Sequence, residues 1–199
     1  MRRVVLLLLA LLLTMSGGSV LAVSYEDGFA ANKTAAEAGD AVAQNNLGLM
    51  YSEGQGVAQD YKAAYKWTRL AAEQGNAHAQ NNLGVIYREG QGIAQDYKEA
   101  VKWARLAADQ GNAHAQVNLA LMYYKGYGVA QDYKEAFKWT QLAVEQGDAI
   151  AQYNFGEMYY KGQGIAQDYK EAVKWYGLSA AQGYEPAKKC IANNYKGCQ

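Results

Sequence analysis

The chain has 199 residues, enough for one domain or a short array of repeats. Half of them are hydrophobic and proline occurs once, as Pro186, so the chain can bury a core and lacks the composition of a disordered one. Lysine plus arginine and aspartate plus glutamate both number 19, and that balance argues against the basic footprint of a nucleic-acid binder.

The first element is a candidate secretory signal, residues 1–22. Arg2 and Arg3 supply a positive start, Val4–Leu13 is an unbroken apolar run, and Ser16, Gly17, Gly18 and Ser19 break it. Val20-Leu21-Ala22 has the small-residue spacing of a cleavage site, which places the cut after Ala22. The run falls short of the roughly 20 apolar residues that cross a bilayer. An uncleaved anchor is the competing reading. Val23, where a lipid-carrying cysteine would stand, excludes lipid attachment at that site. Removing Arg2 and Arg3 leaves 17 basic against 19 acidic residues, a net −2.

Beyond the leader, strand formers are sparse while alanine and tyrosine abound, which favours an all-α protein. Ser24–Gly39 reads as half of a unit that then recurs, with residues 23–38 as an N-terminal capping helix. Ser24 stands where Asp60 caps the equivalent helix, Phe29 on the Tyr65 position, and Ala31 in place of a tryptophan. The recurring signature is "EGQGVAQDYKAAYKW" from Glu53, "EGQGIAQDYKEAVKW" from Glu89, "KGYGVAQDYKEAFKW" from Lys125 and "KGQGIAQDYKEAVKW" from Lys161, each 36 residues after the last. Trp67, Trp103, Trp139 and Trp175 keep the same spacing. A fixed period of this size marks a stacked solenoid. Four units are predicted, at residues 39–74, 75–110, 111–146 and 147–182, with residues 183–199 as a C-terminal capping helix and tail.

Each unit holds two helical segments. In the first, Ala79, Leu83, Gly84 and Tyr87 share one face. Gly84, like Gly48 and Gly156, is expected to let the neighbouring helix approach, with Ala120 as the smallest substitute. In the second, Ala100, Trp103 and Ala107 form a stripe, which assigns the tryptophans to the core. Gly75, Gly111 and Gly147 are expected to end second helices, and Asn76, Asn112 and Asp148 to cap the first helices that follow. Asp96, Asp132 and Asp168 precede second helices, with Glu99, Glu135 and Glu171 three residues on, an aspartate version of the capping box. Ile93, with Val57, Val129 and Ile165, is expected to plug the gap between helices.

Sites of chemistry find little support. The paired glycines follow a helix, lack a third glycine, and are not followed by Gly-Lys-Ser/Thr, so they are turns rather than a phosphate cradle. His78 and His114 stand at one position of adjacent units, with Val42 and Ile150 at the equivalent sites, so a metal lacks a third ligand. Cys190 and Cys198 are two residues of an exported tail. A disulfide between them would staple the last helix, and two free thiols are the alternative. Asn46, Asn82, Asn118 and Asn154 either bond between helices or line a groove.

The pattern "AQNNLGVIYREGQGIAQDYKEAVKWARLAADQG", in register four times from Gly39 and continuing to about Gly197, resembles the SEL-one-like repeat family, cousins of tetratricopeptide repeats. The resemblance implies antiparallel helix pairs stacked into a right-handed α-α superhelix of helix-turn-helix repeats. It also implies protein-binding adaptors or scaffolds, many exported by bacteria, with no catalytic activity and no cofactor.

In the related tetratricopeptide fold the first helix of each pair lines the concave surface. Counting away from the packed face gives Val42, Asn45, Leu49, Ser52 and Glu53, then His78, Asn81, Val85, Arg88 and Glu89. In the last two units it gives His114, Val117, Leu121, Tyr124 and Lys125, then Ile150, Tyr153, Glu157, Tyr160 and Lys161. These positions vary between copies while the packed ones repeat. Glu53 and Glu89 give way to Lys125 and Lys161, and tyrosines join the lysines. The expected function is an exported, non-catalytic scaffold whose C-terminal groove binds an extended protein segment with acidic residues. The expected location is periplasmic or secreted. The alternatives are a periplasmic regulatory or inhibitory subunit and a secreted factor engaging host proteins.

Overall fold

The computed structural model describes residues 17–193 and Tyr195, with side chains from Asp27 onward. The leader run Val4–Leu13 and Cys198 lie outside the described residues. Among the described residues the chain is all-α: α1 (Gly17–Glu37), α2 (Ala41–Glu53), α3 (Tyr61–Glu73), α4 (Ala77–Glu89), α5 (Tyr97–Asp109), α6 (Ala113–Lys125), α7 (Tyr133–Glu145), α8 (Ala149–Lys161), α9 (Tyr169–Ala181) and α10 (Glu185–Ala192). No helix among them is long and apolar enough to cross a membrane. Two compact units result, residues 1–76 and 77–199, the first holding α1–α3 and the second α4–α10. Within each unit every helix packs on the next in sequence.

The helices end where their chemistry says. Asp60, Asp96, Asp132 and Asp168 each accept backbone N–H bonds from the second and third residues of the second helix. Asp40, Asn112 and Asp148 do the same for first helices with one N–H each. Glycine in the left-handed region follows each second helix, as at Gly75, Gly111 and Gly147. The reciprocal half of the capping box does not form. Asp96 N–H donates to Tyr87 O at 2.9 Å, and Glu99 instead accepts from Lys102 and from the Trp103 indole. Glu135 and Glu171 likewise pair with Lys138 and Lys174. A lysine one turn on is the stronger partner for a carboxylate than a backbone donor already satisfied by a carbonyl.

The core is alanine and leucine. Ala79, Leu83, Ala100, Ala107, Ala115 and Leu119 are fully buried, and burying a leucine side chain contributes about 1.5–3 kcal/mol. The tryptophans are half-buried and flank this core rather than fill it. Trp67 packs on the Ala36, Ala43 and Leu47 cluster, Trp139 on the cluster that holds Leu119, and Trp175 against Phe155. Lys66, Lys102 and Lys174 lie over the Trp67, Trp103 and Trp175 rings at 5.4, 5.6 and 5.2 Å. Helices only about 8–10 Å apart leave room for alanine between them and push the indole to the rim. The plug holds in three turns: Val57, Ile93 and Val129 are half-buried, whereas Ile165 is 36% exposed.

A second frame, of glutamines, was not anticipated. Gln74, Gln110, Gln146 and Gln182, at the ends of second helices, donate to buried Gln44, Gln80, Gln116 and Gln152 at 2.7–2.9 Å. Gln44 and Gln116 in turn donate to Ala36 O and Ala108 O, tying those two hairpins to the helix before them. Buried amides need such partners. Their recurrence in all four copies was the available signal.

Both ends depart from the repeat. α1 is described over Gly17–Glu37, so position 24 lies inside the helix rather than at its start. At the other end Tyr184 replaces Asp148 as N-cap and makes no side-chain bond, and α10 stops after eight residues. Tyr195, one 36-residue period after the helical Tyr159, therefore lies beyond that helix, at φ 61. Its ring stacks on Tyr176 at 6.0 Å.

Candidate functional site

Three of the first-helix residues on α6 and three on α8 meet around one cavity of about 360 Å³. α6 supplies Leu121, Tyr124 and Lys125, spaced i, i+3, i+4 on one face. α8 supplies Tyr153, Glu157 and Lys161 at i, i+4, i+8. Ala120, Asn154 and Met158 join from the same helices, and Ala136 and Thr140 from α7. The second-helix residues were missed because only first helices were counted; Ala136 and Thr140 share a face at i, i+4, which was legible.

The other four singled-out residues lie elsewhere. Arg88 is taken up by Glu89 at 2.9 Å and by Asn118 Oδ1 at 3.0 Å. His114 is exposed, with Nδ1 3.6 Å from Asp148 Oδ2. His78 meets Asn112 in the same way, at 3.3 Å. Val117 packs against the Ala143, Val144 and Phe155 cluster. Tyr160 is half-buried, edge-on to Tyr169 at 5.2 Å.

Three residues expected at the open surface are in fact buried, two of them at the cavity. Tyr153 and Glu157 are each 9% exposed. The cause is non-local. Tyr176 of α9 stands where Thr68, Ala104 and Thr140 stand in the other repeats. Its hydroxyl donates to Glu157 Oε1 at 2.5 Å, and its ring lies 5.5 Å from that of Tyr153. Tyr184 also packs on Tyr153, edge-on with ring centroids 5.5 Å apart. Asn45 is buried as well, whereas Val42, Leu49, His78, Leu121 and Ile150 are exposed as expected.

The charges around the cavity are unequal. Lys161 Nζ lies 2.5 Å from Glu157 Oε2. Burial alone would lower the Lys161 pKa, but the bond to Glu157 outweighs it and the net direction is upward. Lys125 sits 5.4 Å over the Tyr124 ring and has no carboxylate partner among the described residues. Tyr124 is held by its hydroxyl, which donates to Gln163 Oε1 at 2.7 Å. One positive charge, that of Lys125, is therefore left uncompensated in the lining.

The asparagine position resolves into two behaviours. In the third repeat Asn118 Nδ2 donates to Asn81 Oδ1 at 2.9 Å, while its Oδ1 accepts from Arg88. Asn46 similarly reaches Asn32 at 3.3 Å. These are bonds between successive helical layers. One repeat on, Val117 and Tyr124 replace Asn81 and Arg88. Asn154 accordingly has no hydrogen-bond partner among the described residues, and it lines the cavity.

Burial pushes the Tyr153 phenol up to about 12, with Glu157 and Tyr184 adding to it, and raises Tyr176 further, first by burial and then by its bond to Glu157. An unfolded tyrosine loses its proton near pH 10. Above that pH the unfolded chain binds fewer protons than the folded one, so stability falls as pH rises. Full stability is expected below about pH 10, with loss between there and the folded value of about 12 for Tyr153. Each such tyrosine contributes about 1.4 kcal/mol per pH unit in that window. Urea midpoints measured across the window should show a shallower fall in Tyr153→Phe; an unchanged slope would count against burial as the cause.

A Sel1 repeat model matches residues 41–76, 77–112, 113–148 and 149–184, so each matched unit opens at the first residue of α2, α4, α6 or α8. Among solved structures, a protective antigen present in uropathogenic Escherichia coli strains, displaying an SLR fold, is 42% identical over 78% of this chain and 33% of its own, with TM-score 0.75. A Sel1 repeat protein from Oxalobacter formigenes is 37% identical over 79% of this chain and 64% of its own, with TM-score 0.75. The chain thus spans a third of the length of the first and just under two thirds of the second. No curated protein matches it. Sel1 repeat proteins generally mediate protein–protein interaction, and the scaffold is typically non-catalytic. With four contiguous matches laid on four helical hairpins, the chain belongs to the Sel1 repeat family.

Proposed function

We propose that this chain is an exported, non-catalytic interaction module that holds an extended, acidic segment of a partner protein along its first helices. The observation that carries this is the contrast between frame and face. Caps, glutamines and turn glycines repeat in every copy, while first-helix surface residues change, and they converge on a cavity with an uncompensated lysine. Tyrosines add large contact area with a polar tip, as recognition surfaces do. Export rests on the leader and on the cysteines. Cys190 is a buried residue of α10, 3% exposed, a setting that suits a bond to Cys198 in an oxidising compartment.

A secreted factor engaging host proteins is the second reading. It draws on the 42% identity to a protein described as a protective antigen of uropathogenic strains. Fractionating the exporting cell separates medium from periplasm, and thiol alkylation of the recovered chain reports whether the cysteines are blocked. Recovery of a bound protein is expected to fall about tenfold for both Tyr160→Ala and Lys161→Glu, a loss of about 1.4 kcal/mol. Unchanged recovery in both, with recovery abolished by Leu142→Arg on the second-helix surface, would place the partner elsewhere and end the proposal.

A further inference from the structure

Going beyond the general groove, and resting on it, we infer that the α6–α7–α8 cavity is a subsite for one large apolar residue of an extended partner chain. In this arrangement Asn154 grips the peptide group of that residue and Lys125 takes a carboxylate beside it.

The size comes first. Ligand pockets run from roughly 300 to 1,000 Å³, and about 360 Å³ is near the bottom of that range. There is room for one large side chain with its flanking backbone, and little room for a nucleotide-sized molecule. Leu121, Ala136 and Met158 give that side chain an apolar lining.

Asn154 then selects for a main chain. A primary amide offers both N–H donors and a carbonyl acceptor. A peptide group offers the complementary pair, whereas a free carboxylate offers acceptors alone. Asn118, at the same position one repeat earlier, spends its amide on Asn81 and Arg88. The exchange of those two residues for Val117 and Tyr124 frees the amide of Asn154 where the cavity opens. The charge follows the same logic. Glu157 is already occupied by Tyr176 and Lys161, so it does not neutralise Lys125. An acidic residue next to the inserted side chain meets Lys125; a basic one meets repulsion.

A random linear peptide library displayed on phage tests this, followed by a synthetic peptide of the selected sequence with acetylated and amidated ends. The selected peptides are expected to share a large apolar residue next to aspartate or glutamate. Asn154→Ala and Lys125→Glu should each weaken the synthetic peptide about tenfold. Neither change removes a bond that holds the fold, which circular dichroism checks. A peptide with lysine in place of its acidic residue should recover affinity for Lys125→Glu.

Peptides insensitive to both substitutions but weakened by Tyr160→Ala or His114→Ala would overturn the subsite and leave the groove standing. Peptides insensitive to every first-helix change, or no enrichment at all, would overturn both. If phenylacetate competes as well as the peptide does, the occupant is a small acid and the subsite proposal fails.

Discussion

Gly128→Ala is expected to cost about 3–5 kcal/mol, whereas Gly126→Ala, two residues earlier in the same turn, is expected to cost about 1–2. Both glycines lie in the left-handed region, at φ 70 and 74, so both substitutions pay the same backbone penalty. Space separates them. A Cβ at Gly126 would meet Gln131 Cβ at 3.4 Å, an ordinary contact. A Cβ at Gly128 would fall inside the Tyr97 carbonyl and 2.9 Å from Lys98 N, backbone atoms that cannot swing aside. Gly164 stands in the same relation to the Tyr133 carbonyl. In these two pairs the first glycine therefore ends a helix, and the second seats the turn against the preceding repeat. The check is the urea midpoint of each variant. Equal losses would mean that the turn moves freely away from α5 and that the second glycine serves its own loop alone.

What was legible in the sequence was local. The period, the helix starts at aspartate and the stops at glycine depend on neighbours within a turn, and the chain spells those neighbours out four times. Close packing at Gly84 and Gly156 was also readable: a Cβ at Gly84 would lie 3.2 Å from Ala100 O, and one at Gly156 only 2.9 Å from the Tyr176 ring. What escaped was competition between partners. Glu99 had the spacing of a capping box but sits beside Lys102 and Trp103, which claim it. The tryptophans had the periodicity of a core but exceed the space between helices. That Leu121, Tyr124 and Lys125 line one cavity follows from helical counting, which puts them on one face of α6. Tyr153 and Glu157 were misjudged as exposed because their burial comes from α9 and α10, through residues that break the repeat. Asn154 could be weighed only once the partners of Asn118 were known.

Those breaks gather at Tyr176, and replacing it is the second large expected effect. Tyr176→Thr installs the residue that stands at 68 and 140, so a plain reading of the repeat makes it a harmless return to type. The surroundings say otherwise. Tyr176 is 0% exposed, its ring lies over Gly156, and its hydroxyl holds the buried carboxylate of Glu157. Truncating a buried aromatic ring costs about 3–5 kcal/mol, because the cavity left behind only partly collapses. Here the collapse is further hindered, since Gly156 has no side chain to move in. Tyr176→Phe keeps the ring and removes only the donor to Glu157, for about 1–3 kcal/mol. Thr140→Ala, which loses one bond to Ala136 O, should cost about 1 kcal/mol. Urea unfolding of the three variants ranks them. If Tyr176→Thr falls level with Thr140→Ala, the last repeat is an ordinary copy. If it falls far below, as expected, the repeat has been rebuilt around one tyrosine. The same variant should also weaken partner binding, because Glu157 and Tyr153 form one wall of the cavity and Tyr176 is what holds them there.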